Sequence, residues 1–142
     1  MNEAVDRIVQ AFESLSPESV ARLNAIYAPD AGFKDPFNDV RGLPEIQRIF
    51  AHMFEALVQP RFVITQRVVQ GQQCFLCWEF RFAFKQTKPG QPQCIFGATH
   101  FTLDTSGRIA MHRDYWDAAE ELYEKLPWIG GLMRWLKKRA SS

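Results

Sequence analysis

The chain has 142 residues, 46% of them hydrophobic, and a formal net charge of +1. That length suits one domain around one core, and no run of about 18 apolar residues offers a membrane span. Up to residue 124, 12 Lys and Arg face 16 Asp and Glu, whereas residues 125 to 142 hold five basic residues and no acid. A mildly acidic body lacks the basic face of a nucleic-acid reader, so no nucleic-acid partner is expected.

Met1 to Val9 carry Glu3 and Asp6 where a secretory signal would be basic and then apolar. The three cysteines, Cys74, Cys77 and Cys94, are an odd number in strand-like sequence, which suits reduced thiols. A cytoplasmic location follows as an expectation. Cys74 and Cys77 have CxxC spacing but no second pair, and alternation along a strand points them to opposite faces. No metal and no cofactor is expected.

In chain order, Val5, Ile8, Val9 and Phe12 recur at helical spacing, and Ser16-Pro17 restarts a second short helix through Val20, Leu23 and Tyr27. Residues 31 to 37 read as a short edge strand. A third helix begins near Pro44, with Ile46, Ile49, Phe50, Met53, Phe54 and Leu57 as its apolar stripe, and stops before Pro60. From Phe62 the period changes to two. Strands are predicted at about 62–70, 73–86, 93–104 and 108–116, separated by Gly71-Gln72, Lys88-Pro89-Gly90 and Ser106-Gly107. Such short connections favour an antiparallel meander.

Asp117 with Glu120 reads as a capping box opening a C-terminal helix. Beyond a domain at 1–126, residues 127–142 form an amphipathic, basic, Trp-rich tail. Trp128, Ile129, Leu132, Met133, Trp135 and Leu136 alternate with Arg134 and lead to Lys137-Lys138-Arg139. A tail helix that plugs the fold or packs on a second subunit is favoured over peripheral membrane contact, because Gly130 and Gly131 weaken a free helix and the large aromatics need burial. The predicted class is α+β: a curved antiparallel sheet covered on one face by three N-terminal helices, with a C-terminal helical tail.

Two runs carry a resemblance. Tyr27-Ala28-Pro29-Asp30-Ala31 leading to Phe33-Lys34-Asp35-Pro36, then Gly42 and the third helix, resembles the SnoaL-like branch of the nuclear transport factor 2-like superfamily. The strand His112-Arg113-Asp114-Tyr115-Trp116-Asp117 is similar to the closing strand of limonene epoxide hydrolases. The resemblance implies a cone with a pocket inside and a homodimer through the outer face of the sheet. Asp35-Pro36 matches the Asp-Pro base of ketosteroid isomerases, while Phe12 and Thr99 stand where that family has its Tyr and Asp donors. Asp114 matches the water-activating Asp of the epoxide hydrolases. Glu79 and Arg81 stand where those have Arg and Asp, in exchanged order, and Phe33 and Asp35 replace their Tyr and Asn.

Residues i and i+2 of a strand share a face, so Glu79 goes with Arg81, and His112 with Asp114 and Trp116. If both sets face inward they meet Asp35 in a cavity walled by Trp116, Phe101 and helix apolars. In the alternative register, Glu79 and Arg81 lie on the dimer face. The candidate catalytic set is therefore Asp35, Asp114, Arg81, Glu79 and His112, with Trp116, Phe101, Thr99, Phe12 and Phe33 as the substrate-binding set. The expected function is a cofactor-free acid/base isomerase, cyclase or hydrolase acting on a small apolar metabolite. A non-catalytic ligand-binding or interaction module on the same fold, docked on a membrane or partner through its tail, is the alternative.

Overall fold

The computed structural model describes residues 2–85, 92–118 and 138–139. Helix α1, Asn2–Glu13, buries Ala4, Val5, Ile8, Val9 and Phe12, each larger side chain contributing about 1.5–3 kcal/mol by leaving water. The restart at Ser16 yields a 3-10 helix, Ser19–Ala25, instead of an α-helix. Ser16 and Ser19 tie its entry, each backbone N–H donating to the other's Oγ at 2.9 and 3.1 Å.

Strand β1 (Tyr27–Lys34) and the short β2 (Asp39–Arg41) precede helix α2, Leu43–Ala56. Gly42, at φ 106°, turns the chain into α2, a conformation that L side chains rarely adopt. Strands β3 (Leu57–Gln70), β4 (Gln73–Phe84), β5 (Gln93–Leu103) and β6 (Ile109–Tyr115) complete one six-stranded sheet, ordered β2-β1-β6-β5-β4-β3. Helices α1 and α2 pack on one face of it. Among the described residues, no helix is long and apolar enough to cross a membrane.

Three expectations change. The first strand begins at Tyr27 and lies inside the sheet, because the closing β6 returns beside it in parallel while β2 takes the edge. The sheet is thus antiparallel except at β1–β6. Strand β3 starts at Leu57 and runs through Pro60. It tolerates a residue without an N–H because it is the far edge strand, and its register shifts between Val58 and Arg61 next to Gln59 at φ 48°. The predicted Lys88-Pro89-Gly90 turn, Glu120 of the capping box and the hydrophobic part of the tail lie outside the described residues.

Candidate active site

Strand β6 brings the chemistry to the core. His112 and Asp114, two residues apart, both point under the helices, and across β5 they face Phe101 and Thr99. His112 is 3% exposed, clamped between the rings of Phe33 and Phe101 at centroid distances of 4.3 and 4.9 Å. Its Nε2 lies 2.7 Å from Asp114 Oδ1, and its Nδ1 lies 2.6 Å from the hydroxyl of Tyr27 on β1. Thr99 Oγ1 donates to the same Asp114 Oδ1 at 2.6 Å, and Trp78 Nε1 donates to Thr99 Oγ1 at 2.8 Å. Asp114 Oδ1 thus takes two hydrogen bonds, and no bond within the described residues reaches Oδ2.

Trp78 gains this position through Gly97, its partner on β5. A Cβ at Gly97 would sit 2.4–2.9 Å from three indole carbons, so the ring lies where a side chain would be.

Asp35 enters from the other side, where β1 leaves the sheet. Its Oδ1 accepts the backbone N–H groups of Phe37 and Asn38 at 2.8 and 2.6 Å, and the Asn38 amide reaches both oxygens. This Asx turn places the carboxyl against apolar walls. Burial pushes its pKa up, the N–H donors pull it down, and the charge of Asp114 pushes it up again, leaving it raised overall.

The two carboxylates line one cavity of about 310 Å³. Its walls are Phe33, Phe62, Trp78, Phe80, Phe82 and Trp116, with Ile49 and Met53 of α2 opposite. That is the mostly apolar, sparsely polar character of a small-molecule site. A second cavity of about 30 Å³ lies behind it, touching Asp114, Thr99, His112, Phe12 and Phe101. Among the described residues, no three of His, Cys, Asp and Glu converge closely enough to hold a metal ion.

The structure therefore brings Asp35, Asp114, Phe33 and Trp116 together in the larger cavity. Phe12, Phe101, Thr99 and His112 are placed behind Asp114, lining the smaller one. Glu79 and Arg81 are not brought together with the carboxylates, which corrects their expected inward position. Their side chains point to the opposite face of β4, where Arg81 donates twice to Glu79 Oε1 at 3.0 and 2.6 Å. The reason is the alternation of Cys74, Leu76, Trp78, Phe80, Phe82 and Phe84, whose apolar side chains claim the inner face. Tyr27, Trp78 and Asn38 are not among the sequence-based site candidates. Only that aromatic alternation could have pointed to Trp78, and the motif that Tyr27 opens gives its hydroxyl no partner.

A SnoaL-like domain model matches residues 5–112, most of the chain. The chain belongs to the SnoaL-like domain family. Comparison with curated proteins found no match. Solved structures share the fold at low identity. A hypothetical protein with a ketosteroid isomerase-like fold from Catenulispora acidiphila, in complex with trimethylamine, is 18% identical, with a TM-score of 0.71 over 85% of this chain and 90% of that one. An LEH-like epoxide hydrolase from M. tuberculosis is 17% identical, with a TM-score of 0.68 over 93% of each chain. A protein assigned as a SnoaL-like polyketide cyclase from Jannaschia sp. CCS1 is 18% identical, with a TM-score of 0.70 over 84% and 88%. At 17–18% identity, these likenesses show the shared fold.

Proposed function

We propose that this SnoaL-like domain is a cofactor-free acid/base isomerase, cyclase or hydrolase for a small, largely apolar metabolite, with Asp114 as the base. One observation carries the reading: Asp114 holds two donors on Oδ1 and keeps Oδ2 clear of them in an aromatic cavity shared with a second carboxyl. Asp114 takes a proton from a substrate carbon or from water. Asp35, whose hold on a proton is raised by burial and by the nearby charge, gives one to the substrate oxygen. In an isomerisation Asp114 returns its proton to a different carbon while the enol hydroxyl gives its proton back to Asp35. In epoxide opening, the water oxygen bonds to carbon as the carbon–oxygen bond breaks, the water proton goes to Asp114, and the leaving oxygen takes the Asp35 proton. Solvent then resets the pair.

The test offers the protein a panel of terpene-sized epoxides, cyclic ketones and enones in deuterated water, reading diol formation, double-bond migration and deuterium at carbon. Conversion by the wild type that Asp114→Asn abolishes is the expected outcome. Conversion equally fast in Asp114→Asn would sink the assignment.

The non-catalytic alternative has its own support. Two carboxylates share the cavity, whereas among the described residues its Lys or Arg lining is Arg48, paired with Glu45 at 3.1 Å on α2, and Arg139. Aromatic walls around an excess of negative charge favour an organic cation, and the Catenulispora protein was solved with trimethylamine. Quenching of Trp fluorescence by benzyltrimethylammonium at tenfold lower concentration than by 3-phenylpropan-1-ol, with no turnover in the panel, would favour a binding module.

The outer sheet face supports a homodimer as part of this reading, since it exposes Val68, Phe75, Phe96 and Tyr115. Light scattering should give twice the chain mass, and Phe96→Glu should halve it. Cys74, Cys77 and Cys94, present as thiols rather than disulfides, support a cytoplasmic location.

A further inference from the structure

The hydrogen bonds around Asp114 have a direction that their end members impose. An indole N–H can only donate. Trp78 therefore occupies a lone pair of Thr99 Oγ1 and leaves the Thr99 hydroxyl proton for Asp114 Oδ1. On the other side Tyr27 is fully buried, and among the described residues the only partner of its hydroxyl is His112 Nδ1. Burial, then the charge of Asp114, pushes the phenol pKa well up, so it keeps its proton. Were Nδ1 protonated, that buried O–H would have no acceptor, at a cost of about 1–3 kcal/mol. Tyr27 must donate to Nδ1. His112 then carries its proton on Nε2, aimed at the same Asp114 Oδ1.

We propose that Tyr27 and Trp78 are positioning residues that orient His112 and Thr99 as paired donors to Asp114 Oδ1 and so decide that Oδ2 is the oxygen that takes the substrate's proton. This rests on the acid/base reading of Asp114. His112 then donates through Nε2 and accepts through Nδ1. Its ring has no freedom to exchange these roles, because Phe12, Phe33 and Phe101 pack around it and Tyr27 stacks parallel at 11°.

The experiment is a long-range proton–nitrogen spectrum of the histidine side chains at pH 7.5, with His112 assigned through His112→Gln. In the wild type, His112 should show a protonated Nε2 and an unprotonated Nδ1 whose resonance is displaced by an accepted hydrogen bond. In folded Tyr27→Phe the Nδ1 resonance should move. A wild-type His112 protonated on Nδ1, or nitrogen resonances that stay in place in Tyr27→Phe, would overturn the proposal. The wild-type tautomer is read without Tyr27→Phe, so the first outcome stands whether or not that variant folds. With a substrate from the panel, Tyr27→Phe and Trp78→Phe should each lower kcat about tenfold; in Tyr27→Phe, which does not line the larger cavity, KM should hold. Full turnover in Asp114→Asn would remove the acid/base reading alone, since the resonances report bond direction whatever the reaction.

Discussion

On β4 to β6 one backbone presents two chemically opposed faces. Inward, Trp78, Thr99, His112 and Asp114 form a bonded chain under the helices. Outward, Glu79 and Arg81 pair with each other, Phe75 stacks on His100 at 4.4 Å, and Arg113 lies 5.0 Å above the Tyr115 ring. The inner carboxylate Asp114 has a side chain 16% exposed, whereas Arg81 outside is 47% exposed. Charge acts strongly only where water is kept away. The same residue types thus have different uses one position apart.

The sharpest break between the faces should be catalytic. Asp114→Asn is expected to lower turnover about a thousandfold with the circular dichroism spectrum unchanged, and an effect under tenfold would make the inner face as passive as the outer one. Next comes packing. Gly97→Ala should cost about 1–3 kcal/mol by driving a methyl into the Trp78 ring, read as a lower denaturant midpoint and altered Trp fluorescence.

A smaller effect concerns Asp35. The folded protein holds this proton more tightly than the unfolded chain, so its contribution to stability is greatest below the ordinary carboxylate range and is lost as pH rises through the raised folded value. Asp35→Asn should remove that slope. Thermal melts from pH 4 to 8 should show the variant gaining on the wild type as pH rises, by about 3 °C at the upper end. The smallest effect belongs to the outer ion pair: Arg81→Ala should leave Tm and turnover unchanged. A lost turnover there would return Arg81 to the site and refute the two-face description.

Much of the fold was legible because it rests on local periodicity. Val5, Ile8, Val9 and Phe12 announced α1, and period two from Phe62 announced the meander. The family resemblance points to Asp35 and Asp114 as candidates, and both line the cavity. The motif resemblance allows Glu79 and Arg81 either face of the strand, and Trp78, Phe80, Phe82 and Phe84, alternating on the other parity, put them outward. In a sheet with one buried face, four large apolar side chains outweigh one ion pair in choosing which side meets the core. Tyr27 was illegible, because the bond that gives it a role spans 85 positions of sequence.

By itself, the sequence determined the class of fold and the strand periods, since each depends on neighbours a few positions away. The tertiary structure alone decided that β6 closes in parallel beside β1. That pairing carries Tyr27 to His112 and sets Asp35 across a cavity from Asp114. Long-range strand pairing is fixed by how the whole core packs, and the direction of each hydrogen bond at Asp114 follows from the partners that packing leaves available.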